Sequence, residues 1–320
     1  MAVAVAVAVA VAVATGGSAV RVWRPSWPCQ PYDVLRAVRR GASDPTFQRD
    51  PDGTLWRACR TPAGPATLCI RRRARLADIH LEAWGAGAGW ALDNAPSLLG
   101  ADDDVATFEP RDPRVRDAWL RDPHWRVTKT GLVMEALVAA VIEQKVTGIE
   151  AWRGWRLLVR RFGTPAPGPG AARGLRCLPD AAGLRRVPSW EWLRCSIDAQ
   201  RSDTIMRAAL VAGSLERTVG LPMDEADRRL RSVPGIGRWT SAEVRQRAFG
   251  DADAVSFGDY HVASHVGYAL TGEATDDDRL AELLESERPH RYRVQHVVTT
   301  RMAGPPRRGP RMALRTHLPG

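Results

Sequence analysis

The run Leu132–Val146, LVMEALVAAVIEQKV, is apolar almost all the way round a helix. A helix on a protein surface carries one apolar stripe, so a helix with no polar face has to be enclosed by other elements. The chain must therefore wrap a bundle around this segment, and the helices C-terminal to it supply the wrapping. EAWRGWRLLVRRFG is amphipathic, with Trp152, Trp155 and Val159 on one face, arginines on the other, and Gly163 as a stop. TPAPGPGAARG is a Pro/Gly loop. WEWLRCSIDAQRSDTIMRAALVAGSLE reads as one or two helices, and MDEADRRLRSV as another with Ala226, Leu230 and Val233 inward. TDDDRLAELLESE opens with Thr275 as a cap and an acidic first turn.

Upstream the pattern changes. Between Thr54 and Trp84, TLWRACR, ATLCIRR and LADIHLEAW are strand-like and separated by Pro/Gly-rich or Arg-rich turns, which predicts a small antiparallel sheet. A short helix is expected around Trp90–Leu99. The acidic run Asp102–Asp104 reads as a capped turn in water, with a cation site as the alternative. The fold class expected is α+β, predominantly α: a helical bundle preceded by a small antiparallel β-sheet domain. The expected divisions are a low-complexity, unstructured Ala/Val extension over 1–20, the sheet domain over 21–122, the helical domain over 123–302, and a disordered Pro/Arg-rich tail over 303–320. The N-terminal run MAVAVAVAVAVAVATGG is too short for a membrane helix and lacks a positive leader, which leaves a low-complexity extension or an export signal.

The formal net charge of +10 favours a polyanionic partner, although part of the arginine excess is compositional. Lys129 and Lys145 are the only lysines. The five cysteines are scattered, without C-x-x-C spacing, so neither a disulfide framework nor a metal ligand set is expected, and a reducing cytoplasm fits.

Residues 223–250 read helix, tight turn, helix, with PGIG as the turn. Glycines permit a sharp bend and remove Cβ atoms that block a close approach, and the free N–H groups opening the second helix make an anion site. A P-loop is excluded, because the turn follows a helix and lacks Gly-Lys-Ser/Thr. Taken alone, PGIG reads equally as a glycine-capped turn between packed helices.

The flanking residues extend the pattern. L-x-x-V-P-G-I-G-R-W-T, with D-A-V-S-F-G-D-Y-H about twenty residues on, resembles the helix-hairpin-helix DNA glycosylase superfamily, and within it the 3-methyladenine DNA glycosylase II type. The resemblance runs from E-A-L-V-A-A-V-I-E-Q-K-V-T to the helix near His296, with a fainter echo in W-G-A-G-A-G-W-A-L-D. It implies a monomeric base-excision enzyme of the cytoplasm and nucleoid that acts on damaged bases in duplex DNA, without cofactor, metal or membrane. Gly235, Ile236 and Gly237 would grip a phosphate through backbone amides, with Arg238, Thr240 and Lys145 also against DNA. Asp259 falls at the catalytic aspartate, where a carboxylate stabilises an oxocarbenium-like sugar and positions water. Trp239, Gln144, Glu243 and Tyr260 would shape the base pocket, with Trp239 stacking on the flipped base.

Strand-cutting members of the superfamily place a Schiff-base lysine where this chain has Trp239, which implies base release without lyase chemistry. Iron–sulfur members have four cysteines after the helical domain, and this chain has none beyond Cys195. Three positions depart from the pattern. Glu243 replaces an aromatic residue, and would either draw a cationic base or pair with Arg247. Lys145 replaces an apolar wedge, so base extrusion would rely on another side chain. His261 and His265 stand at i, i+4, a metal pair or simply residues shaping the site around Asp259. The alternative function is a non-catalytic helix-hairpin-helix DNA-binding or lesion-recognition protein.

Overall fold

The computed structural model describes residues 12–14 and 17–306. Six antiparallel strands form one sheet: β1 Ala12–Ala14, β2 Ser18–Trp23, β3 Phe47–Arg49, β4 Leu55–Thr61, β5 Gly64–Arg73 and β6 Asp78–Trp84, in the order β1-β2-β6-β5-β4-β3. The three longest strands take the segments expected as strands. Leu55 lies opposite Ile70 and Ile70 opposite Leu81, a buried row across three strands. Helix α1, Ala88–Leu98, covers this row with Leu92, Ala95 and Leu98. The other face carries Trp56, Ala58 and Cys69, which pack on Ala166, Leu175 and Cys177 of the Pro/Gly loop region.

The N-terminal extension departs from its expected disorder where it is described. Val13 of β1 pairs with Ala19, and β2 begins at Ser18, inside the extension. Alternating Ala/Val has the period of a strand, and the edge of β2 offers it unpaired N–H and C=O groups. Residues 1–11, 15 and 16, and the tail at 307–320, lie outside the described residues.

The helical part comprises α2 Pro113–Leu120, α3 Val133–Ile142, α4 Gly148–Phe162, α5 Ala199–Leu210, α6 Met223–Arg231, α7 Arg238–Val244, α8 Val262–Thr271, α9 Asp277–Glu285 and α10 Arg291–Arg301, with shorter turns between them. Every residue of α3 except Glu135 is buried, as an all-round apolar helix requires. Around it pack α4, α5 and α6, with Ala226, Leu230 and Val233 inward. A second cluster joins Phe108, Val115 and Trp119 to α8, α9 and α10, so the segment before Asp122 shares a core with the C-terminal helices.

Three local expectations are corrected. Trp152 is 41% exposed rather than core, because the buried face of α4 runs through Ala151, Trp155, Leu158 and Val159; its ring instead covers Gly41. The cap of α9 is Asp276, which accepts the Arg279 N–H at 2.9 Å, while the Thr275 hydroxyl donates to Ala263 O. The acidic run is not a free turn in water: the Asp103 side chain is buried against Arg293, and Asp102 meets Lys129 at 2.9 Å.

The sheet docks on α3 through charge. Arg57 of β4, fully buried, donates to Glu135 at 2.5 Å, and Arg40 meets Glu143 at 3.4 Å. These two acids are polar interruptions of the apolar run, and both face arginines of the preceding domain. All five cysteines are buried and unpaired, and burial pushes their thiols up to about 11 (Cys69, Cys177, Cys195) or about 12 (Cys29, Cys59). Among the described residues, no helix is long and apolar enough to cross a membrane.

Candidate active site

The turn between α6 and α7 uses its two glycines differently. Gly235 has φ +98°, and a Cβ there would lie 2.1 Å from Thr204 Oγ1, so the bend and the packing both demand glycine. Gly237 has φ −91° with nothing within 4 Å of a Cβ, so neither the backbone nor the packing requires it. Ile236 between them is 4% exposed and belongs to the bundle core, its N–H closing the turn on Val233 O at 3.0 Å. Gly237 caps α7 without a side chain, and the first bond of the helix runs from Ser241 N–H to Gly237 O at 3.0 Å. The N–H groups between Gly237 and Ser241 therefore have no carbonyl partner within α7, whereas that of Ile236 is spent inside the turn.

Gln144, at the end of α3, donates from Nε2 to Gly235 O at 3.0 Å and to Thr240 Oγ1 at 2.7 Å. Both polar side chains are thus spent on bracing the hairpin, and Thr240 is 2% exposed. Arg238 and Lys145 are exposed and make no ion pair among the described residues. The Arg238 guanidinium lies over the Phe257 ring at 3.7 Å, and Lys145 lies beyond the end of α3 in the left-handed region at φ +54°.

Phe257 brings the second half of the site to the hairpin. Gly258, at φ +87°, lies beside Trp239, where a Cβ would make an ordinary contact of 3.8 Å with the tryptophan Cβ. Asp259 comes next, two residues before His261 at the N-cap of α8, and its Oδ1 accepts the N–H groups of His261 at 2.8 Å and Val262 at 3.1 Å. That placement puts the carboxylate at the positive end of the α8 dipole. Its Oδ2 accepts no hydrogen bond among the described residues. Trp239 is half-buried, and its indole N–H has no partner among the described residues. The structure therefore gathers Gly235, Ile236, Gly237, Arg238, Trp239, Thr240, Gln144 and Asp259.

Two expected pocket residues are placed elsewhere. Tyr260 is 84% exposed, its ring edge-on to His261. Glu243 is buried and ion-paired with Arg247 at 2.6 Å, the second of the two roles its position allowed. Burial opposes the charge on Arg247, but Glu243 and Glu143 outweigh it and hold the guanidinium above its ordinary range. His265 is bonded to Met302 O at 3.1 Å, and the described residues contain no cluster of metal-binding side chains.

The structure also holds a cleft of about 410 Å³ that no local motif announces. Arg36, Trp125, Arg247, Tyr292, His296 and Arg301 line it, drawn from four distant segments. The rings of Trp125 and His296 stack with centroids 3.7 Å apart and planes 8° apart. Burial, then Arg301, Arg36 and Arg293, holds His296 down at about 3, so the imidazole is neutral. Arg247 ties the cleft to the hairpin helix.

No protein-family model matches the chain. Over 194 residues it is 28% identical to a probable bifunctional transcriptional activator/DNA repair enzyme AlkA of Mycobacterium tuberculosis, a match covering 59% of this chain and 38% of the relative. The chain thus spans about two fifths of that protein's length. Among solved structures, the 3-methyladenine DNA glycosylase of Archaeoglobus fulgidus superposes with a TM-score of 0.72 at 17% identity, covering 87% of this chain and 97% of that one. The Clostridium acetobutylicum 8-oxoguanine glycosylase/lyase, solved with duplex DNA, gives 0.68 at 11% identity, covering 91% and 96%. With a hairpin between α6 and α7, an aspartate beside it and a sheet domain ahead of the bundle, the chain has the fold of the helix-hairpin-helix DNA glycosylases and resembles their 3-methyladenine DNA glycosylase type.

Proposed function

We propose that the protein is a DNA glycosylase that hydrolyses the N-glycosidic bond of damaged, including alkylated, bases in duplex DNA. The observation that carries this reading is Asp259: one carboxylate oxygen is fixed by two backbone N–H groups and the other is unengaged among the described residues, beside a hairpin whose outer side is open. An anchored carboxylate with one free oxygen stabilises positive charge at a sugar carbon and orients an attacking water. The hairpin amides, Arg238 and Lys145 would hold phosphates, with the salt dependence of such contacts. Trp239 offers an indole face to an extruded base, and electron-poor alkylated purines stack well on it.

Trp239 stands where lyase chemistry needs an amine, and water is the nucleophile this site can orient. Base release should therefore leave an intact strand, with no covalent adduct trapped by borohydride. The experiment is a panel of single-lesion duplexes carrying 3-methyladenine, 7-methylguanine or hypoxanthine, with the released base identified and abasic sites cleaved by alkali. Asp259→Asn should keep DNA affinity and lose base release by about 10² or more, as removal of a transition-state charge partner does. Release at the wild-type rate by that variant would refute the role of Asp259. Binding without release of any base would leave the non-catalytic lesion-recognition reading instead.

A further inference from the structure

Glu243 and the loop before Asp259 share one buried hydrogen-bond network. Glu243 Oε1 accepts the Ser256 hydroxyl at 2.7 Å, while its Oε2 accepts from Arg247 at 2.6 Å. The Ser256 hydroxyl in turn accepts from Gln246 Nε2 at 2.9 Å and Gln295 Nε2 at 3.0 Å. One donor and two acceptor sites are all a serine hydroxyl has, and all three are used. The Ser256 N–H donates to Gln295 Oε1 at 2.9 Å, and Gln246 Nε2 also reaches Ala254 O at 2.7 Å. Glu243, Ser256, Gln246 and Gln295 are all buried, Glu243 the most exposed at 7%. The chain then runs to Asp259, whose own N–H bonds Ser256 O at 3.1 Å.

We infer that Glu243, Ser256, Gln246 and Gln295 form a clamp that sets where the Asp259 carboxylate stands relative to the hairpin. They are positioning residues, and the inference rests on Asp259 being the catalytic carboxylate. The turn between clamp and carboxylate passes through Gly258 in the left-handed region, and Val255 and Phe257, either side of Ser256, are buried in the second core cluster. A fully satisfied buried network is stiff, and misplacing a reacting group by about 1 Å costs on the order of 10²-fold in rate. The clamp draws its members from α7, from the turn that extends it, and from α10, so it ties the aspartate to both helices at once. It also accounts for the carboxylate at a position where an aromatic was expected. Buried and paired with Arg247, Glu243 directs its charge into the protein rather than toward a cationic base.

The test uses full-length Ser256→Ala, Glu243→Ala and Glu243→Gln with the lesion duplex released fastest by the wild type. Three quantities are read: the single-turnover rate of base release, the Kd for a duplex with an abasic-site analogue, and the melting temperature. Ser256→Ala and Glu243→Ala should slow release about 10²-fold at a Kd within twofold of wild type. Glu243→Gln keeps one oxygen for the Ser256 hydroxyl but turns an amide N–H toward Arg247, so its rate should fall between those of wild type and Glu243→Ala. Release by Ser256→Ala within twofold of wild type overturns the clamp. Should Ser256→Ala fail to fold, Gln295→Ala removes one anchor and should show the same split between rate and affinity. Asp259→Asn separates the two claims: full activity there removes the catalytic reading, whereas loss there with an unaffected Ser256→Ala removes only the clamp.

Discussion

Alanine at the two hairpin glycines should separate folding from binding. At Gly235 the backbone has φ +98°, where an L residue costs about 1–2 kcal/mol. Its new methyl group would sit 2.1 Å from Thr204 Oγ1, and overpacking of that kind adds about 1–3 kcal/mol. Gly235→Ala should therefore lose about 3 kcal/mol of stability, a fall of roughly 6–12 °C in Tm at about 2–4 °C per kcal/mol. Gly237→Ala meets ordinary φ and open space, so its stability should stay within about 1 kcal/mol of wild type and tend upward, since alanine restricts the unfolded chain. Its methyl would instead occupy the side from which a phosphate reaches the amides. Losing one charge-assisted hydrogen bond of about 1.5–3 kcal/mol raises Kd roughly 10- to 100-fold. Thermal melts together with fluorescence anisotropy on an abasic-analogue duplex, at one fixed salt concentration, read both effects. Wild-type affinity in Gly237→Ala would show that the open side of the hairpin is not a phosphate seat. An unchanged Tm in Gly235→Ala would refute the packing argument.

Trp239→Ala should weaken binding to lesion duplex more than to undamaged duplex, by the roughly 1–3 kcal/mol that base–aromatic stacking supplies, and equal losses on both would deny it a stacking role. His296 gives a pH dependence. Its folded-state value of about 3 lies below the unfolded value of about 6.5, so the unfolded state binds the extra proton between these limits. The stability is present in full above pH 6.5 and declines as pH falls toward 3, by at most about 1.4 kcal/mol per pH unit. Denaturant melts at about pH 5 and about pH 7.5, on either side of the unfolded value, should show a smaller difference in His296→Phe than in wild type; the same difference in both would place the proton uptake elsewhere.

Elements whose signals are local are legible in the sequence. The all-round apolar run forms the central helix, and the Ala226, Leu230, Val233 spacing marks the inner face of α6. Strand β2, of similar length to β4, escapes such a reading because SAVRVW adjoins a monotonous Ala/Val repeat and its main partner, β6, lies far along the chain. The resemblance to known glycosylases locates the hairpin and Asp259, yet it cannot tell how their neighbours spend their hydrogen bonds. Gln144 and Thr240 satisfy each other, and Glu243 satisfies Ser256, choices fixed by contacts between α3, α7 and α10. The Trp125–His296 cleft depends on packing among segments far apart in the chain, for which periodicity carries no signal.

The burial of the cysteines has a chemical consequence. A thiol reacts with an electrophile as its thiolate, and at pH 7 a group held near 11 is ionised in only about one molecule in ten thousand, against a few per cent for a free cysteine. Of the two lysines, Lys129 is already engaged with Asp102. Alkylating agents would thus meet almost no thiolate on the described chain, and its exposed soft nucleophile is a thioether, that of Met223. The thiols of a molecule proposed to work where such agents have attacked DNA are thus poor targets for them.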